Sequence, residues 1–421
     1  MRNNREIVPT DVPRIPAAWR WRSLLSIVQE DRGISYGVVQ PGDGDVLGIP
    51  IVRADNVRDG HINVDSVLRI SRGIESKYAR TRLRGGEVLL TLVGAYFGKA
   101  TVAPPELTGW NVARAVAVIP VISDIEPEWV TYCLRSPMIQ KYIQNWATTT
   151  AQPTLNLRDV AQLPIPLPPP RERRLVVEFL DALERKLALN SATNATIEKI
   201  AGTIFESWFV DSDPDQSQAS EPVAFDSIAT ISRESVNPAE YPTESFDHYS
   251  IPAFDQGRLP IVEIGEHIKS NKFVVQEDSV LLSKLNPRIP RIWMPLLSGS
   301  RRAICSTEFL VIEPRGVSSR EYLYGLCSSQ SFLYAFAMMV TGTSGSHQRV
   351  KPEYLQKMPV AVPTEFGLRK YTELVRPLHA KVAQNLRECS ILSALRDAIL
   401  PKLVSGTIRF KELETVVEAN A

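Results

Sequence analysis

Gly94-Ala95-Tyr96-Phe97-Gly98-Lys99 is the stretch that comes nearest to a motif with chemistry of its own. A phosphate-cradling loop needs four residues between its first glycine and the Gly-Lys pair, then Ser or Thr, because those amides and that hydroxyl hold the phosphates and a magnesium ion. Here three residues intervene and Ala100 follows, so the string reads as a turn. An amino-methyltransferase would carry Asn or Asp before two prolines and an aromatic ring, and neither Asn286-Pro287-Arg288 nor Asp213-Pro214-Asp215 does so. No two of His61, His248, His267, His347 and His379 stand at metal-ligand spacing or beside a nucleophile motif. Cys133, Cys305, Cys327 and Cys389 are scattered, without the pairing of a zinc site, which fits a reduced cytoplasmic protein. The chain is expected to have no active site, no metal and no cofactor of its own.

What remains is binding. Charge is balanced over the 421 residues, 48 Lys and Arg against 47 Asp and Glu, so a polyanion site must be local. The segment Lys284 to Arg302 carries Lys284, Arg288, Arg291, Arg301 and Arg302 with no acid, and Arg53, Arg58, Arg69, Arg72, Lys77, Arg80, Arg82 and Arg84 outnumber the acids among them. Such loops position phosphates and offer forked Arg donors to guanine edges. The candidates are Arg53, Arg58, Lys77, Arg80, Arg82, Lys99, Thr149 and Gln152 in the first half. In the second half they are Lys284, Asn286, Arg288, Arg291, Arg302, His347, Gln348 and Arg349. Arg and Gln are favoured for base edges, and the lysines and Thr149 for phosphates.

The elements that must carry these residues occur twice. Val176, Leu183, Asn190, Ile197 and Ile204 form a heptad stripe, with Phe179, Leu180, Leu187, Ile200 and Trp208 on the adjacent seam. Adding 195 to each stripe position gives Tyr371, Leu378, Asn385, Leu392 and Ile399, with Asn again in the third place. Before each long helix stand short β-branched segments: Ile49 to Val52, Val64 to Ile70, Val88 to Val93 and Ala115 to Val121. A helical segment follows from Glu128 to Trp146, then a polar loop, then the run Leu163 to Pro170, expected to be extended and semi-rigid. In the second copy the matching pieces are Val280 to Ser283, Phe309 to Pro314, Glu321 to Met339, Thr341 to Ser346 and Met358 to Pro363.

The sequence thus predicts an α+β chain of two similar modules and two long helices paired antiparallel about a pseudo-two-fold, with the modules at opposite ends. Its expected divisions are a module at 1–170, a helix at 171–210, a linker at 211–218, a module at 219–365, a helix at 366–405 and a tail at 406–421. Pairing about the two-fold would set Asn190 against Asn385, a buried polar contact that penalises slipped registers. Met1 to Pro16 lacks the apolar core of a signal peptide, and no run reaches the ~20 residues that span a bilayer. Two similar modules on a rigid spacer suit duplex DNA, where half-sites one turn apart lie about 34 Å from each other.

The chain resembles the specificity subunit of a type I restriction-modification system. The resemblance is carried by Ile204-Phe205-Glu206-Ser207-Trp208-Phe209-Val210-Asp211 closing the first long helix and by Leu395 to Gly406 closing the second. Gly86-Glu87-Val88-Leu89-Leu90, Val93 to Lys99, and Leu282-Ser283-Lys284-Leu285-Asn286-Pro287-Arg288 are also similar, in the same order within the duplicated frame. The resemblance implies two target-recognition domains that each read one half of a split DNA sequence, with the helices setting the gap. It also implies two docked methyltransferase subunits and a motor-nuclease restriction subunit, with S-adenosylmethionine, ATP and magnesium on those partners only. One departure is Arg171-Glu172-Arg173-Arg174, where many members carry a Glu-Gln pair, which leaves local helix capping open. A coiled-coil adaptor that reads no DNA is the rival reading; it accounts for the helices but not for the basic segment or the duplicated β modules.

Overall fold

The computed structural model describes residues 12–147, 153–210, 219–297, 299–341 and 348–409. Contacts divide the chain into two compact units, Met1–Lys186 with Leu392–Ala421, and Leu187–Ile391. Each unit therefore holds one β-rich module together with part of both long helices.

The first long helix runs Pro170–Phe209. Proline is tolerated in its first turn, where a backbone N–H would have no helical partner. The residues that depart from the expected Glu-Gln pair tie this turn down. Arg173, almost fully buried, bonds the Glu126 carboxylate and the Asp124 carbonyl. Glu172 accepts from Arg409 at 2.5 and 2.7 Å and from the Trp19 indole at 3.2 Å. The second long helix runs Glu365–Ser405, and the Thr364 hydroxyl caps it by accepting the Gly367 N–H at 3.0 Å.

Within each unit the two helices run antiparallel. In the first, Val176, Val177 and Leu180 share a core with Leu400, Leu403 and Val404. In the second, Phe205 lies 5.8 Å from Tyr371, ring to ring, in a cluster with Phe209 and Tyr322. The expected seam drifts. Ile200 is 47% exposed, whereas Asn194, Ala201 and Phe205 are buried. A straight helix of 3.6 residues per turn rotates about 20° per heptad against a 3.5 repeat, so the buried stripe leaves the sequence heptad.

The modules share a frame. In the first, an antiparallel sheet has the order Ser35–Tyr36, Val116–Ile119, Val88–Thr91, Ala100–Val102. In the second, Ala229–Ser232, Phe309–Pro314, Val280–Ser283 and Ile292–Trp293 take the same places. Leu90, Ala117, Leu282 and Leu310 come from central strands that put one face on their module's main core. Each segment expected as one helix is two, Pro127–Arg135 with Pro137–Trp146, and Arg320–Ser328 with Gln330–Met338. Pro137 forces Ser136 out of the helical region, and the Ser136 and Ser329 hydroxyls then cap the following helices.

The proline-rich runs are strands and not free spacers. Pro164–Leu167 pairs antiparallel with Arg20–Ser23, and Pro359–Pro363 with Ala219–Ala224. These are two-stranded ribbons, where alternate positions need donate no ladder bond and proline is admitted. The predicted strand Val64 to Ile70 shortens to Leu68–Ile70, in a three-stranded sheet with Ile49–Val52 and Asn111–Val112. The second module carries instead a five-stranded sheet, from Ser235–Val236 at one edge to Ile261–Ile264 at the other.

Candidate nucleic-acid interface

In the first module the turn from Val93 to Lys99 joins the strands Val88–Thr91 and Ala100–Val102. Gly94 and Gly98 take positive φ, and a Cβ on Gly98 would stand 2.9 Å from the Gln140 side chain, so glycine is required there. Thr91 closes the turn by accepting the Lys99 N–H at 2.8 Å. A strand follows it, not a helix, so this turn is no phosphate cradle. It presents Tyr96, over whose ring Arg58 lies at 4.1 Å, and Lys99, which pairs with Asp59 at 2.7 Å. Arg53 joins the cluster through Asp55 at 2.7 Å, and Arg58 bonds the Asp55 carbonyl at the same distance. Arg53, Arg58 and Lys99 are thus brought together.

Lys77, Arg80 and Arg82 form a separate group. Arg82 holds Glu75 in a two-pronged bond at 2.6 and 2.8 Å, which keeps that carboxyl below the usual range. Arg80 is tied to the Arg32 carbonyl, and Lys77 is exposed with no ion pair among the described residues. Thr149 and Gln152 lie outside the described residues.

In the second module the turn after Ser283 lies beside residues 348–350. The Asn286 N–H donates to the Gln348 carbonyl at 2.9 Å and that of Val350 to Lys284 at 3.1 Å. Asn286 sits at φ 50°, a left-handed conformation that Asn tolerates. Lys284, Asn286, Gln348 and Arg349 therefore share one edge, with Arg288 exposed beside them; His347 lies outside the described residues.

The segment read as acid-free is not acid-free in space. Arg291 grips Asp255 at 2.7 and 2.9 Å, Arg301 pairs with Asp247 at 2.6 Å, and Arg302 grips Glu244 at 2.6 and 2.7 Å. Arg302 also lies 4.2 Å over the Tyr241 ring, and Arg349 is held by Glu308 at 2.9 Å. Of the second-half cations chosen from sequence, Lys284 and Arg288 are the two with no ion pair among the described residues.

Residues 42–199 match the model of the type I restriction modification DNA specificity domain. The chain is 32% identical over 192 residues to the type I restriction enzyme EcoBI specificity subunit of Escherichia coli, covering 43% of this chain and 40% of that relative. It is 22% identical over 438 residues to the MjaIX specificity subunit of Methanocaldococcus jannaschii, covering 97% and 98% of the two chains. The chain thus carries a match to a type I restriction DNA specificity domain in its first half and is similar along its length to a type I restriction specificity subunit. The fold agrees: the S subunit crystal structure from M. genitalium superposes with a TM-score of 0.57 at 14% identity, over 93% of this chain and 97% of that one.

In this chain the two register asparagines are buried but do not bond each other. Asn190 donates to Glu388 at 2.9 Å, and Asn385 donates to Asn194 at 2.8 Å. Each asparagine finds its partner one turn beyond the other, because the helices are offset from the register that would oppose them directly. Sequence reasoning passed over Asn194, whose signal was its place four residues after Asn190. It also passed over the buried pair of Arg32 and Glu87, 2.6 Å apart, which anchors the Arg80 segment. Among the described residues no group of three or more His, Cys, Asp or Glu could hold a metal ion, and no helix is long and apolar enough to cross a membrane.

Proposed function

We propose that this chain is the DNA-reading subunit of a type I restriction-modification complex, with residues 1–170 and 219–365 as recognition domains that each read one half of a split target. The observation that carries this is the relation to a specificity subunit along 97% of the chain, joined to a duplicated frame that presents a cationic turn in each module. The helix pair would set the unspecified gap. It would also scaffold two methyltransferase subunits and the restriction motor-nuclease subunits.

Exposed apolar residues on the long helices support that docking role, among them Leu189 at 62%, Ile391 at 69% and Phe366 at 57% exposure. Catalysis, S-adenosylmethionine, ATP and magnesium belong on the partners in this reading, and the subunit itself is non-catalytic. The test is base-resolved methylation mapping in cells that express the chain with its companion methyltransferase, against cells that lack the chain. A split motif with a constant gap, present only with the chain, is expected. An assembled complex that leaves no motif would overturn the reading in favour of an adaptor.

A further inference from the structure

The first module contains a groove of about 510 Å³ whose walls include Tyr36, Val93, Arg114, Thr154, Asn156 and Leu157. That volume is within the ~300–1,000 Å³ of sites that hold small organic groups. Three chain segments meet there through backbone bonds, Leu92 N–H to the Ala115 carbonyl at 2.8 Å and Leu155 N–H to the Leu92 carbonyl at 3.0 Å. Val93 bridges Thr154, which makes the groove continuous with the turn that carries Tyr96 and Lys99.

Its chemistry differs from that of the surrounding cations. Arg53, Arg82 and Lys99 are neutralised by acids, but Arg114 is exposed and has no ion pair among the described residues. Arg114 is nonetheless placed, since its N–H donates to the Val38 carbonyl at 2.8 Å. Tyr36, on an edge strand, also lines the groove and leaves 46% of its surface exposed. The Asn156 side-chain oxygen caps the next helix at 2.9 Å, and its amide NH2 has no partner among the described residues.

The duplicated frame provides an internal comparison. Tyr36 faces Ala117, which faces Leu90; in the second module Leu282 faces Leu310, and the residue that would extend the pairing of Ser232 with Val311 to Leu310 is Arg233, just past the strand end. Val350 donates to Lys284 as Leu155 does to Leu92, so Glu353 takes the place of Arg158. Arg233 and Glu353 form an exposed ion pair 3.0 Å apart. Where the first module places Tyr36 and Arg158, the second carries this ion pair, so the two faces differ in charge.

We propose that this open groove holds one nucleotide of the bound DNA strand, with its phosphate on the Arg114 guanidinium and its base or sugar face against the Tyr36 ring. The proposal rests on the DNA-reading function above. It makes the two modules unequal, with a backbone anchor in the first that the second lacks.

The test uses the subunit assembled with its methyltransferase partner and a labelled duplex carrying the mapped motif, titrated over a salt series. Arg114→Ala is expected to weaken binding to all sequences alike and to lower the slope of log affinity against log salt by about one. Tyr36→Ala is expected to weaken binding about 5- to 150-fold with the slope unchanged, the range for loss of one base-aromatic stack, and Tyr36→Phe is expected to restore it. Arg288→Ala, in the other module, is the control. Wild-type affinity and slope in Arg114→Ala and Tyr36→Ala, with Arg288→Ala impaired, would overturn the groove and leave the DNA-reading function standing. A wild-type complex that binds no duplex at any salt would overturn both.

Discussion

The bond between Asn194 and Asn385 allows a quantitative test of the helix register. Both residues are almost fully buried, the amide of Asn385 donates to the Asn194 oxygen at 2.8 Å, and the Asn385 oxygen has no partner among the described residues. A buried polar group without a partner costs about 1–3 kcal/mol, and a formed bond contributes about 0.5–1.5 kcal/mol. Asn385→Leu orphans the Asn194 oxygen but removes an orphan of its own, so its net effect is expected near zero. Asn194→Leu leaves the Asn385 amide N–H unpaired and is expected to cost about 1–3 kcal/mol. The double leucine variant removes every orphan at the loss of one bond and is expected at or above wild-type stability, a coupling of about 1–3 kcal/mol. Urea unfolding of the four proteins measures it. Additive losses, with the double variant as unstable as the sum of the singles, would show that these amides share no bond in solution. If the helix pair also sets the gap, the double variant should methylate motifs with a less uniform gap, because apolar seams tolerate slippage.

Three other perturbations follow from the geometry. Burial pushes His379 down from 6.5 to about 4, with its Nδ1 unpartnered beside the Tyr324 ring, so the folded state favours the neutral form. The associated stability is complete above pH 6.5 and is lost as pH falls toward 4, reaching about 2 kcal/mol at pH 5; His379→Gln should flatten the urea midpoint between pH 7 and 5. A Cβ on Gly325 would stand 2.5 Å from Phe205 and 2.6 Å from the Tyr371 hydroxyl, so Gly325→Ala is expected to destabilise the chain by about 1–3 kcal/mol in the same assay. Arg288→Ala is expected to lose about 1–3 kcal/mol of binding and relax one half-site position. Arg291→Ala should change DNA affinity less, since its fork is occupied by Asp255; equal losses in competition binding would refute that ranking.

The sequence by itself determined the duplicated order, the two helices to within a residue at each end, and the central strands, because these depend on local periodicity that each segment carries whole. Ser136 and Ser329 broke the expected single helices through local capping that sequence could have disclosed. Only the tertiary structure decided which cations remain unpaired. Arg291, Arg301, Arg302 and Arg349 meet Asp255, Asp247, Glu244 and Glu308, which lie 36, 54, 58 and 41 residues away along the chain. Charge interactions act through space and composition is counted along the chain, so three of the five cations in an acid-free stretch of sequence are neutralised by distant acids. The asparagine register was decided the same way. The repeat put one polar position in each helix, but the offset between two packed helices follows from side-chain interdigitation across the pair, which neither helix encodes alone.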